Sequence, residues 1–346
     1  MGRFVVRRLL WLIPVIFVVA AITFAFMHAA PGGPWDRDPS RRQLDASTQR
    51  MLNIQFGLDK EAWLDFGALA KGDLAGFLDS QFITYMIGGQ IQGQWKCGFI
   101  CGNLGPSFTQ RGMKVQDILF RPPEDMPFWN SKFGYSIRLG VLALVIAIAI
   151  GLPAGILAAL KQNSVIDYIS LFIATSGITI PNFVLGIFMI IIFSVWLHLV
   201  PVVPRDWGDI RFWIMPSIVL GFGTLAFTAR LTRSSMLEVM RQDYVRTARA
   251  KGLGERTVVL LHMLKNALIP VITILGPNLI NLITGSFIIE TMFAFPGSGR
   301  QYVQAIGQRD YSMIMATTLI YAILIQLANL SVDFMYTLVD PRIKVS

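Results

Sequence analysis

TRSSMLEVMRQDYVRTARAKGLGERTVVLLHMLKNALIP, residues 232–270, is the only long polar and basic stretch lying between strongly apolar ones. With Arg230 just before it, it carries Arg233, Arg241, Arg246, Arg249, Lys251, Arg256 and Lys265 against Glu238, Asp243 and Glu255. A short loop this basic between membrane spans belongs on the cytoplasmic side. Asp243 is placed to cap a short helix Tyr244–Lys251 that ends at Gly252. Gly254 then breaks the chain before a second helical run towards Pro270. A short helix lying across the membrane between two spans has the shape of a docking piece for a soluble partner.

The remaining composition agrees with a membrane setting. The 346 residues are 54% hydrophobic and only 15% charged, with mean hydropathy +0.56, whereas soluble domains are nearer about 45–50% apolar and about 25% charged. Net charge +9 is not a nucleic-acid signal here, because the cations cluster beside apolar spans and set topology. Cys97 and Cys101 share one predicted external loop. They either form a small disulfide loop, which that compartment permits, or stay as two unpaired small residues. Two Cys at this spacing without a neighbouring His make no metal site.

Arg3, Arg7 and Arg8 precede an apolar run from Leu9 to about Ala30, longer than the ~7–15-residue core of a secretory signal and long enough to span. It reads as a retained first helix (residues 1–30) with a cytoplasmic N-terminus. Residues 31–134 form a long, charge-balanced extracytoplasmic segment, in which Ala62–Phe82 alternates aromatic and charged residues as short interfacial amphipathic helices do. Residues 135–346 form a five-helix core. Its spans are Ile137–Leu160, Tyr168–Leu199 (over-long, so tilted or kinked at Pro181), Trp213–Leu231, Leu268–Ile289 with Pro270 in its first turn and Pro277 inside, and Met313–Val339. Glu290–Arg309 is an external re-entrant or surface loop, and Arg342 and Lys344 end inside. The expected architecture is an all-α membrane protein of six transmembrane helices, both termini cytoplasmic, with a cytoplasmic helix between the fourth and fifth. One orientation puts every short basic segment inside.

Chemistry-bearing motifs point away from an enzyme. GxxxxGK[ST], HExxH and GxSxG are missing from the sequence, and His28, His198 and His262 fall near span ends, far apart. Three polar stripes occur at helical spacing: Thr175, Thr179 and Asn182; Asn278, Asn281 and Gly285; Gln326, Asn329 and Asp333. Polar groups in hydrocarbon are expensive, so these faces either line a hydrated translocation route or hydrogen-bond between helices, at ~0.6 kcal/mol per pair. Small residues, among them Gly151, Gly155, Gly221 and Gly276, let helices approach closely.

The run DYVRTARAKGL followed by KNALIP resembles the cytoplasmic coupling (EAA) loop of bacterial ABC importer permeases, of the dipeptide/oligopeptide/nickel subclass. Ala248 and Gly252 match the loop's second alanine and its glycine, while Arg246 and Thr247 stand where the wider class has Glu and Ala. GNLGPS (Gly102–Ser107), LPAGILAAL (Leu152–Leu160), ETMFAFPGSGR (Glu290–Arg300) and VDPRI (Val339–Ile343) are similar too, and the resemblance covers nearly the whole chain. Against that pattern, residues 73–101 look like an insertion. The resemblance implies a permease in the bacterial inner membrane that forms a path for peptides. Nickel chelates, glutathione and oligosaccharides are alternative cargoes.

It also implies a second homologous permease subunit, two ABC ATPase subunits that carry the ATP and Mg, and an extracytoplasmic solute-binding protein; this chain would bind no cofactor. Tyr244, Arg246, Thr247, Ala248, Arg249, Ala250, Lys251 and Gly252 would couple to the ATPase, with Ala248 small enough to sit against its surface. Glu290, Pro296, Gly297 and Gly299 would either dock the binding protein or cap the pore with a tight turn. An ion-driven secondary transporter would instead show paired acids deep in the spans and internal repeats, and neither is evident.

Overall fold

The computed structural model describes residues 2–35, 45–204, 206–284 and 286–339. In chain order the helices are α1 Gly2–Ala29, α2 Ala46–Phe56, α3 Phe66–Ala70, α4 Leu74–Leu78, α5 Gln81–Met86, α6 Val115–Phe120, α7 Lys132–Leu160, α8 Val165–Thr179, α9 Asn182–Met189, α10 Arg211–Met240, α11 Asp243–Ala250, α12 Glu255–Thr257, α13 Lys265–Ala267, α14 Ile269–Thr284, α15 Phe287–Met292, α16 Ser298–Gln308 and α17 Tyr311–Val339. Ile190–Trp196 and Val258–Leu264 are π-helical. Strands β1 Gly88–Ile91 and β2 Gln94–Cys97 pair antiparallel, with Gly88 opposite Cys97 and Ile91 opposite Gln94. The expectation of an all-α chain is corrected by this hairpin. Its two-residue turn, Gln92–Gly93, has both residues at positive φ, the geometry that matches strand twist.

Five helical stretches among the described residues are long and apolar enough to cross a membrane: Val6–Ala29, Lys132–Leu160, Arg211–Met240, Ile269–Met292 and Tyr311–Ser331. The pair Val165–Thr179 and Asn182–Trp196 makes a sixth only as a broken span, since it bends by 108°. The sequence places this break correctly at Pro181 but reads it as a kink in one helix. Proline removes a backbone donor and pushes its predecessor out of the helical region. Ile180 is extended at ψ 121, and Pro181 becomes the cap of α9.

The residues fall into two compact units, 7–134 with 301–323, and 1–6 with 135–300 and 324–346. In the first, one face of α1 (Ala20, Phe24, Met27) packs with Phe82 and Met86 of α5, Val115, Ile118 and Leu119 of α6, and Met313–Leu319 of α17. Of the short helices expected at an interface, α3 and α4 bury nothing and are held by their caps, Asp65 and Asp73, whereas α5 enters this core. Asp310 accepts from Ser107 Oγ, from Thr109 N at 3.1 Å and from Met313 N at 3.2 Å, so the GNLGPS segment is tied to the first turn of α17.

In the second unit α10 is the central element. Its buried residues recur every three or four positions from Trp213 through Leu220, Thr228, Thr232 and Met236. The helix therefore runs nine residues past the expected end of the span at Leu231, because the inward face stays apolar or small after Arg230 and Arg233 appear on the other faces. Glycines set the crossing with α7. A Cβ at Gly151 would lie 2.8 Å from Leu225 O, and one at Gly155 would lie 2.5 Å from Ala229 O. Gly285, Arg342, Lys344 and the side chain of Asp333 lie outside the described residues.

Candidate functional site: the coupling segment and the polar positions

Helix α11 is built as a lid with one wet face. Val245 and Ala248 are buried and cluster with Ala159 of α7, Met236 of α10, and Val258, Met263 and Ala267 beyond the turn. Burying side chains of this size contributes roughly 1.5–3 kcal/mol apiece for the larger ones, enough to hold an eight-residue helix that would not form alone. Tyr244, Arg246, Thr247, Arg249, Ala250, Lys251 and Gly252 are exposed. Two expectations change here. Asp243 is the first helical residue, not the cap; Gln242 occupies the cap without a side-chain bond. Ala248 faces the chain's own core, so its small size serves internal packing, and any outside contact falls to the exposed set.

The C-terminal end of α11 is fixed by Gly252, at φ +77, whose N–H donates to Arg249 O at 2.9 Å. A Cβ there would touch nothing within 4 Å, so the glycine is required by backbone conformation alone. Across the turn, Arg249 Nε and Nη2 donate to Glu255 at 3.1 and 2.6 Å. That hydrogen bond holds the Glu255 carboxyl below the usual range and raises Arg249. Asn266 Nδ2 donates to Tyr244 Oη at 3.0 Å. The segment is thus cross-braced to the helix that leads into α14.

A strut near this segment was not legible beforehand. Arg233 of α10 donates through Nε (2.6 Å) and Nη2 (2.8 Å) to Asp167 in the first turn of α8, and Asn163 N donates to the same carboxylate at 2.9 Å. Asp167 is almost fully buried. The partners are 66 residues apart, and no local pattern announces the pair.

The polar stripes separate. Thr175 and Thr179 lie on α8, exposed, with Thr179 Oγ1 donating to Thr175 O at 2.9 Å. Asn182 begins α9 beyond the 108° bend and donates to Leu220 O at 3.5 Å, so the three do not share a helix face. On α14, Asn281 is exposed, while Asn278 Nδ2 is buried without an acceptor among the described residues. On α17, Gln326 is half-buried and Asn329 exposed.

Glu290 is buried. One carboxylate oxygen accepts from Ser136 Oγ (2.7 Å) and Ser286 Oγ (2.6 Å), the other from Arg300 N (2.9 Å). Gly297 and Gly299 are buried beside it, and a Cβ at Gly297 would sit 2.3 Å from Glu290 Oε2. Pro296 is half-buried. Glu290 and both glycines therefore form a turn folded around a carboxylate, and they present no surface for direct docking. The expected loop Glu290–Arg309 is largely helical, as the end of α15 and the whole of α16. Cys97 and Cys101 have Cα atoms 5.9 Å apart and their sulfurs are joined.

Residues 151–345 match the family described as "Binding-protein-dependent transport system inner membrane component". The chain is 36% identical to the dipeptide transport system permease protein DppB of Bacillus subtilis (strain 168), over 100% of this chain and 99% of that one. It is 35% identical to the oligopeptide transport system permease protein OppB of Escherichia coli (strain K12), over 99% of this chain and 100% of that one. A solved structure of the MetNI methionine ABC transporter in inward-facing conformations aligns with 60% of this chain and 94% of its own, at TM-score 0.48 and 20% identity.

Proposed function

The chain belongs to the family of binding-protein-dependent transport system inner membrane components, and from that membership we propose that it is a multi-pass permease subunit of an ATP-driven peptide importer in a bacterial inner membrane. It forms the translocation path together with a second, related permease. Two ATPase subunits carry the ATP and Mg, an extracytoplasmic binding protein delivers the cargo, and this chain performs no catalysis. Both termini and α11 face the cytosol, where the basic residues around α11 favour that side. Peptide cargo is supported by near-full-length similarity to permeases named for dipeptides and oligopeptides.

The observation that carries the coupling role is the two-faced construction of α11. Val245 and Ala248 fasten it to helices of the core, while Arg246, Thr247, Arg249 and Lys251 stand exposed on the outer face, where a partner surface would meet them. A push on the exposed face is then delivered through Met236 to α10, and through Val258 and Met263 to the helix that continues into α14. The division into an anchor helix (1–30), an extracytoplasmic segment (31–134) and a transport core (135–346) belongs to the same proposal.

The test is uptake of labelled dipeptide by vesicles holding the reconstituted assembly, with and without ATP, comparing wild type with Arg246→Glu. We expect ATP-dependent uptake that the variant reduces at least severalfold while membrane insertion is unchanged. Uptake driven by an ion gradient without ATP would refute the reading. So would an Arg246→Glu, Lys251→Glu double variant that transports normally.

A further inference from the structure

Three arginines expose the same chemical device in different states. The side-on edge of a guanidinium, Nε–H and one Nη2–H, is the fork that takes a carboxylate with two parallel hydrogen bonds. In Arg233 that fork is filled by Asp167 at 2.6 and 2.8 Å, and in Arg249 by Glu255 at 3.1 and 2.6 Å. In Arg138, near the start of α7, the same two atoms are buried, and no described residue accepts from either of them. A buried, charged donor pair left unspent costs more than an ordinary hydrogen bond returns.

Two aromatic rings lie against one side of this guanidinium. Its Cζ lies 4.5 Å from the Tyr135 ring centroid and 4.7 Å from that of Trp213. Those rings stack on each other at 5.6 Å and 16°, and Phe295 meets both edge-on. Trp213 is held in turn by its Nε1, which donates to Trp207 O at 2.8 Å. Cation–π contact offsets part of the desolvation. It leaves the fork unsatisfied, ready for an acceptor that arrives from elsewhere.

Resting on the reading of the chain as a peptide permease, we propose that Arg138 is a receptor for the C-terminal carboxylate of the transported peptide. That carboxylate is shared by every peptide whatever its side chains, so a bidentate fork recognises the class and not the sequence. The aromatic wall of Tyr135, Trp213 and Phe295 beside it accepts a final side chain of almost any kind. Nε and Nη2 have no accessible surface in this conformation. The fork therefore meets an acceptor only when the helices around it part, as a translocation path requires.

The probes are Ala-Phe and its C-terminal amide, carried by the full assembly in vesicles with one and the same binding protein. That protein's own preference is then common to all variants. Relative to wild type, Arg138→Gln is expected to lower the acid-to-amide ratio of ATP-driven uptake by roughly tenfold or more, the loss of a charged hydrogen-bond pair. Arg138→Lys keeps the charge but loses the fork and is expected to fall between the two; it carries the test if Arg138→Gln fails to assemble. An unchanged ratio overturns the proposal, including the case in which a variant slows both peptides equally, which marks a purely structural arginine. A wild-type assembly that imports neither peptide overturns the peptide reading itself.

Discussion

Gly297→Ala measures how tightly the chain is folded around the Glu290 carboxylate. The added methyl would sit 2.3 Å from Oε2, 2.5 Å from Cδ and 2.7 Å from Oε1, inside van der Waals contact with three atoms at once. The carboxylate has nowhere to retreat, since Ser136 and Ser286 hold one oxygen and the Arg300 amide the other. Overpacking a dense core costs about 1–3 kcal/mol, and displacing one hydrogen bond to a charged group adds about 1.5–3 kcal/mol. We therefore expect a loss of roughly 2.5–6 kcal/mol, read as a shifted unfolding midpoint of the purified subunit in mixed detergent–denaturant micelles. Glu290→Ala is itself destabilising because it takes the acceptor from the Arg300 amide and opens a cavity, but it removes the atoms the methyl strikes. In that background Gly297→Ala should cost under about 1 kcal/mol, a coupling energy well above the ~0.5 kcal/mol expected of independent sites. If Gly297→Ala costs the same with and without the Glu290 side chain, the carboxylate is not what excludes a larger residue there.

Two further predictions follow from the braces around α11. Asp167→Ala leaves the Arg233 guanidinium facing a largely buried site without its counter-charge, and breaking such a pair by removing one partner costs about 3–5 kcal/mol. The exchanged pair Asp167→Arg, Arg233→Asp should recover part of that loss in the same unfolding measurement, and no recovery would show that the geometry of Asn163 matters more than the charge pair. The Arg249–Glu255 tie depends on pH with a definite sign. Because the hydrogen bond from Arg249 depresses the folded carboxyl, its contribution is complete above the ordinary Glu value of about 4.3 and disappears as pH falls below it. Both side chains are substantially exposed, so the effect is under about 1 kcal/mol. Protection factors of the amides at 249–255, with the intrinsic pH dependence of exchange divided out, should fall selectively below about pH 4, and Glu255→Gln should abolish that fall.

What hydropathy made legible was where the spans lie along the chain, and what escaped was everything that depends on two distant residues meeting. The break at Pro181 was visible because proline acts on its own neighbours, but its 108° angle reflects how α8 and α9 each pack on α10, which no local rule supplies. The overshoot of α10 to Met240 hid behind Arg230 and Arg233, since a charge ends a hydropathy window without ending a helix. Helix α16 read as loop because Gly299 and Gly307 lower its intrinsic propensity. Yet at Gly299 a Cβ would strike Phe287 Cα at 2.7 Å, so the glycine is imposed by close approach and not by a turn. The hairpin was silent for a similar reason: Gln92 takes the positive φ that Asn or Gly ordinarily announces.

The same reasoning divides the coupling segment from the polar stripes. Its short helix and the turn that ends it were readable because a helix stop, a glycine and a run of cations are all local signals. The orientation of Ala248 was not, since Met236 of α10 and Val258 and Met263 of the π-helical turn approach it from two different parts of the chain. Inward burial of the alanine leaves Arg246, Thr247, Arg249 and Lys251 as the exposed side of the helix, the side that the proposed coupling would use. It also changes which substitution tests coupling. A bulky residue at Ala248 would overpack the cluster that holds α11 in place and would fail for reasons of stability. A charge reversal on the outer face alters only what a partner meets, and for that reason transport by Arg246→Glu, compared with its unfolding midpoint, separates a lever from a merely well-packed helix.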